Sequence, residues 1–289
     1  MAHRPGALVM VGDREGRPEA TTWLSADGAG AEVLGRHLEC GLRVGPLHRD
    51  VSLRHLAILI RPDPQPSSDR NPDIVSRVID LHTKSGFCVP DGRHLSSLEG
   101  RGLLTLGLSD LFVALIPTGW GPSRQSLESL RSKYGFEERK SHCFDATRQQ
   151  THSSRATLSW VDPMDHACKV RGELRVFDGL RTRSFEVNES QLAGGLLIGR
   201  YDRCELQSSE LQYLSRVHNL LITDGDDILL VDCASTCGTF SEGRPVRTLQ
   251  VENGSAWRAG PLDIRWVRAG DPPDEASHPY RDSPPQPPQ

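Results

Sequence analysis

Two stretches of the chain carry the same residues in the same order, and that duplication limits its fold more than any other feature. One is VLGRHLECGLRVGPLHRDVSLRHLAILI from Val33, the other LIGRYDRCELQSSELQYLSRVHNLLI from Leu197. Each holds Gly-Arg-x3-Cys-x-Leu, a polar interval, then Ser-x-x-His and an aliphatic run. Gly35 and Gly199 stand 164 positions apart and His55 and His218 stand 163 apart, whereas Asp80 to Asp232 and Gly86 to Gly238 are each 152. The register slips by 11 residues at PDPQPSSDRNPD, Pro62 to Asp73, where prolines and polar residues cannot continue a strand. The second copy crosses the same place with a tight Asp224-Gly225 turn between the aliphatic runs Leu220 to Ile222 and Ile228 to Val231.

Outward from these centres, strands are expected at Leu8 to Val11 and Thr21 to Leu24 in the first copy. Leu174 to Phe177 and Ser184 to Val187, across an Asp178-Gly179 turn, match them in the second. Leu103 to Leu106 and Leu111 to Ile116 close the first copy, as Ser255 to Arg258 and Leu262 to Val267 close the second. Short strands with glycine-rich turns predict an all-β chain of two antiparallel β-sandwich domains, 5–118 and 170–269. The intervening 119–169 repeats nothing and reads as a mildly basic linker. Leu127, Leu130 and Tyr134 recur there at helical intervals, which predicts a short helix over 124–140. Residues 270–289 hold seven prolines in 20 and read as a disordered, Pro-rich tail.

With 289 residues, 36% hydrophobic and 25% charged, the chain has material for two modest cores. Its apolar runs are far shorter than the roughly 20 residues that cross a bilayer, and its start lacks a signal-peptide pattern, so the expected location is cytoplasmic. A formal charge of -4 argues against a surface built for nucleic-acid phosphates. The seven cysteines (40, 88, 143, 168, 204, 233 and 237) are odd in number and dispersed, as in a reduced protein. Cys233 and Cys237 form a lone pair that does not make a zinc signature, so neither metal nor cofactor is expected.

Gly-Arg, then Ser-x-x-His, then a glycine loop after a strand ending in Asp resembles the forkhead-associated (FHA) domain, and the resemblance covers both repeats, as in the tandem FHA proteins of bacteria. It implies a two-sheet sandwich that catalyses nothing and whose loops bind phosphothreonine. Elementary chemistry fits such a ligand. A phosphothreonine presents about -1.5 to -2 charges and three acceptor oxygens, which call for a guanidinium, hydroxyl donors and free N–H groups on a rigid frame. By the resemblance, Arg200 contacts phosphate, Ser215 donates its hydroxyl to it, and Arg216 adds a basic contact. Thr236 and Cys237 match the loop that grips phosphate and peptide, with Cys237 where the family commonly has asparagine. A thiol cannot donate and accept as a carboxamide does, so binding weakened by on the order of 1 kcal/mol is expected. The first copy offers Arg36 and Ser52, Leu53 opposite Arg216, and Lys84-Ser85 opposite Thr236-Cys237, which makes it a variant site or a degenerate relic.

His55 and His218 each follow a serine by three positions, which in a strand would put the side chains on opposite faces and defeat a nucleophile pair. The resemblance gives them a structural part, and Gly35 and Gly199 read as backbone-constrained turn positions. The resulting expectation is a non-catalytic, phosphothreonine-dependent adaptor in Ser/Thr kinase signalling, its partners a kinase or its substrates. The alternative is a structural or assembly protein whose sandwiches make phosphate-independent contacts.

Overall fold

The computed structural model describes residues 5–27, 30–64, 74–117, 168–208 and 213–270, together with the backbone of 159–160. The helix expected over 124–140 and the Pro-rich tail from 271 on lie outside the described residues. The first repeat runs β1 (Gly6–Gly12), β2 (Pro18–Ser25), β3 (Gly30–Gly35), β4 (Leu42–Arg43), β5 (Leu56–Pro62), β6 (Ile74–Asp80), β7 (Phe87–Cys88), β8 (His94–Leu95), β9 (Ser97–Arg101), β10 (Leu104–Leu108) and β11 (Leu111–Pro117). These strands form two sheets, ordered β2-β1-β11-β10-β7-β8 and β4-β3-β5-β6-β9.

After β12 (Ser159–Trp160), the second repeat runs β13 (Val170–Phe177), β14 (Thr182–Asn188), α1 (Glu189–Gly194), β15 (Leu196–Gly199), β16 (Leu206–Gln207) and β17 (Asn219–Asp224). It continues with β18 (Asp227–Asp232), β19 (Thr239–Ser241), β20 (Arg244–Val246), β21 (Thr248–Gln250), β22 (Ala256–Ala259) and β23 (Leu262–Arg268). Its sheets, β14-β13-β23-β22-β19-β20 and β12-β16-β15-β17-β18-β21, repeat the first pair strand for strand with β12 added at one edge. Among the described residues the fold is therefore all-β, apart from the short helix α1.

Two turns differ from their sequence-based reading. Asp224 pairs with Asp227, so the two-residue loop is Gly225-Asp226, with glycine first at φ 66°. That order suits a hairpin turn requiring positive φ at its first loop position. Asp178 and Gly179 open a four-residue loop between the paired Phe177 and Thr182, and the Asp178 carboxylate accepts the N–H groups of Leu180 and Arg181, both at 3.0 Å. Helix α1 was not foreseen, although Asn188-Glu-Ser-Gln191 spells its capping box: Asn188 Oδ1 accepts Gln191 N–H while Gln191 Oε1 accepts Asn188 N–H.

Each sandwich has its own core, built on strands that alternate inward and outward. Val9, Val11, Ile58, Val78, Leu106 and Val113 belong to the first, and Leu174, Val176, Leu221, Leu230, Ile264 and Trp266 to the second. A third buried cluster joins them. Val33, Ala57, Leu59, Ile79 and Leu81 lie in it with Leu197, Leu220, Ile222, Leu229 and Val231, so the β3-β5-β6 face meets the equivalent β15-β17-β18 face. This explains why Leu56 to Ile60 is apolar at every position, for a strand buried on both faces has no solvent side to mark. Arginines rim the contact: Arg61 Nε pairs with Asp224 Oδ1 at 3.0 Å, and Arg77 donates to the carbonyls of Thr223 and Ala193. Among the described residues, no helix is long and apolar enough to cross a membrane.

Candidate functional site

The sequence-derived residues of the second repeat converge on three connections at one end of the sandwich. Arg200 follows β15, Ser215 and Arg216 precede β17, and Thr236 and Cys237 lie in the loop from β18 to β19. Two main-chain bonds lock the first pair of loops, Arg200 N–H to Ser215 O at 2.9 Å and Tyr201 N–H to Arg216 O at 3.0 Å. A third bond ties in the last loop, where Thr236 N–H donates to Ser215 Oγ at 2.9 Å. The Ser215 hydroxyl thus accepts from the loop and keeps its own proton for donation. Arg216, Thr236 and Cys237 are exposed, and Arg200 is half-buried, its Nε enclosed with no acceptor among the described residues. The exposed ring of Tyr213 stands two residues before Ser215 and was not singled out by the sequence.

Gly199 makes the close approach of these loops possible, for a different reason from the one expected. Its backbone is not in the left-handed region; instead, a Cβ there would overlap the Arg216 carbonyl, as one on Gly35 would overlap that of Leu53. The same carbonyls receive the thiols of the repeated cysteines, Cys204 Sγ to Arg216 O at 3.3 Å and Cys40 Sγ to Leu53 O at 3.4 Å. The Gly-Arg-x3-Cys motif is thus a clamp on one peptide group. Burial pushes the Cys40 thiol up to about 11 and Cys204 to about 12, so both stay protonated donors.

Both histidines sit in the loop just before a strand, where it is the serine backbone rather than its hydroxyl that meets the ring. His218 Nδ1 accepts Ser215 N–H at 3.2 Å and its Nε2 reaches Gly238 O at 3.1 Å. His55 repeats this with Ser52 N–H at 3.0 Å and Gly86 O at 2.9 Å. Accepting at Nδ1 requires the proton on Nε2, so each ring is neutral and bridges two loops. Beneath them, Asp80 holds the N–H and hydroxyl of Thr83, and Asp232 those of Ser235, with Thr239 Oγ1 also donating to Asp232. The Asp-x-x-Thr and Asp-x-x-Ser spacing is the local signal for these staples.

Burial holds both imidazoles below their ordinary value of 6.5. The unfolded chain takes up these protons near that pH and the folded chain only at lower pH. Their contribution is therefore complete above about pH 6.5 and lost as pH falls through the folded-state values. We expect the unfolding free energy to drop between pH 7.5 and pH 5.5, by at most about 1.4 kcal/mol per ring, which denaturant titration at the two pH values measures. Imidazole proton shifts that titrate at the ordinary value would refute this.

The first repeat assembles the same frame but uses its donors internally. Arg36 N–H bonds Ser52 O at 3.1 Å, while Arg36 Nε donates to Val51 O at 2.5 Å. Ser85 Oγ donates to Asp50 O at 3.1 Å, and the Asp50 carboxylate accepts Ser109 Oγ, which sets an acid against the loop. Lys84 is exposed, and Leu53 presents an apolar side chain where the second repeat has Arg216. Among the described residues, no three metal-ligating side chains cluster.

Residues 196–257, which span Gly199 through His218 to Gly238, match the family model of the FHA domain. The second sandwich is an FHA domain. None of the curated proteins matches the chain. Solved structures do, and each covers about one sandwich. One is from a structural and functional analysis of phosphothreonine-dependent FHA domain interactions, 28% identical over 34% of this chain and 95% of that one, with a TM-score of 0.30. The FHA domain of the CT664 protein from Chlamydia trachomatis is 21% identical over 34% of this chain and 96% of its own, TM-score 0.30. FHA-1 of Rv1747 from Mycobacterium tuberculosis is 21% identical over 34% and 99%, TM-score 0.27.

Proposed function

We propose that the chain is a non-catalytic adaptor that binds phosphothreonine-bearing proteins, the products of a Ser/Thr kinase in the cytoplasm, through its second sandwich. One observation carries this reading: Thr236 N–H on Ser215 Oγ at 2.9 Å draws together the three loops that carry Arg200, Ser215, Arg216 and Thr236. Arg200 supplies a half-buried guanidinium, and Ser215 supplies a hydroxyl proton. Arg216 adds a second charge at the rim, and Thr236 adds a hydroxyl. Together they match a dianion with three acceptor oxygens. Cys237 faces the peptide backbone and grips it more weakly than a carboxamide would.

In this reading the first sandwich is a variant of the same domain, with Arg36, Ser52, Lys84 and Ser85 as its nearest equivalents. Arg36 Nε and the Ser85 hydroxyl already have internal acceptors. Its contacts are therefore phosphate-independent, and the most extensive is the one with the second sandwich.

Titration with degenerate peptide pools centred on phosphothreonine or threonine tests the proposal. The phosphorylated pool should bind more tightly, and Arg200→Ala should weaken it by more than about tenfold, the loss expected of a charge-assisted hydrogen bond. Arg36→Ala should change it by less than about twofold. Equal binding of the two pools would overturn the adaptor reading.

A further inference from the structure

The recognition loop of the second sandwich is held from behind by the first. Arg54 lies next to Leu53 in the Ser-x-x-His loop, is only 7% exposed, and donates both Nε and Nη2 to a single acceptor, the carbonyl of Ala234, at 3.0 and 2.6 Å. Ala234 is the left-handed non-glycine residue of the β18–β19 loop, at φ 54°, a conformation that such residues resist and that surrounding contacts must impose. Two residues on, Thr236 N–H reaches Ser215 Oγ. An interdomain cleft of about 410 Å³ is lined in part by Ala234, Ser235 and Gly238 of the same loop.

The other loop is gripped in return. His82, the counterpart of Ala234 and also at φ 54°, exchanges two bonds with the second sandwich: Arg203 Nη1 donates to His82 O at 2.8 Å, and His82 Nδ1 donates to Arg203 O at 2.8 Å. Arg54 corresponds to Val217 and Arg203 to Glu39 in the repeat, so neither grip is a leftover of the shared fold.

We propose that Arg54 is a positioning residue for the phosphothreonine site of the second sandwich: it fixes the Ala234 peptide and so the placement of Thr236, making affinity at that site depend on the first sandwich. This rests on the adaptor reading above. Peptide binding, by linkage, tightens the Arg54 contact in turn.

The test uses the full chain and the phosphothreonine peptide pool. Arg54→Ala should bind about tenfold more weakly, and Arg54→Lys, which keeps the charge and one donor, should fall between it and the parent. Arg77→Ala removes a different interdomain tie, to Thr223 and Ala193. It should lower the melting temperature while leaving affinity unchanged. Parental affinity in Arg54→Ala, or an equal loss in Arg77→Ala, would overturn the proposal. A parent chain that does not distinguish the two pools would overturn the adaptor reading itself, before any variant is made. Should Arg54→Ala not fold, exchange of the Arg54 Nε proton in the parent chain decides: saturation with the phosphorylated pool should slow it, and an unchanged rate would refute the coupling.

Discussion

Leu220→Asp should separate the two sandwiches while leaving each folded. Leu220 is fully buried in the cluster between the β3-β5-β6 and β15-β17-β18 faces. The substitution removes about 1.5–3 kcal/mol of leucine burial and strands a carboxylate whose desolvation costs several kcal/mol more. Against a typical domain stability of about 5–15 kcal/mol, the cheapest relief is to open the contact and hydrate the acid. X-ray scattering should report a larger radius of gyration, while the near-ultraviolet signal of Trp257 and Trp266, buried in the second core, persists. Leu221→Asp, one residue along, points the acid into that core and should abolish the tryptophan signal. An unchanged scattering profile for Leu220→Asp would mean that the interface does not hold in solution.

Gly199→Ala should destabilise the second sandwich by about 3 kcal/mol, the upper part of the range for overpacking a filled site. The added methyl meets a backbone carbonyl, that of Arg216, which cannot rotate away as a side-chain end would. Relief requires parting the two loops, which breaks Arg200 N–H to Ser215 O, Tyr201 N–H to Arg216 O and the Cys204 thiol bond together. Phosphopeptide affinity should fall with stability, since the same loops carry Arg200 and Ser215. Gly194, at the end of α1, has nothing within 4 Å of its would-be Cβ, so Gly194→Ala should be near neutral. Equal denaturation midpoints for the two variants would dispose of the clamp.

What could be read beforehand was whatever leaves a local trace. Aliphatic runs between turn residues marked the long strands, and the ordered Gly-Arg, Ser-x-x-His and Asp…Gly positions marked the loops that come together around Ser215. Strands such as Phe87–Cys88 and His94–Leu95 escaped because two residues carry no periodicity; they exist by pairing with neighbours. The Ser-x-x-His spacing reads as strand geometry, yet both serines lie in loops, where backbone direction changes within a residue or two. The docking of the sandwiches did leave a signal, the unbroken apolar runs of β5, β17 and β18, which a strand with one wet face does not need. Nothing local announces that Arg54 bonds a carbonyl 180 positions away. Tertiary contacts of that span become visible only once the faces that bring them together are known.

The mating of equivalent faces is the geometry of an isologous dimer, realised within a single polypeptide. Two identical protomers would be obliged to present the same residue on both sides of the axis, so an arginine reaching one left-handed loop would have to be mirrored by another at the same sequence position. Fusion lifts that obligation. Arg54 answers Ala234 on one side while Arg203 answers His82 on the other, and one half is free to specialise in ligand capture as its twin becomes the brace.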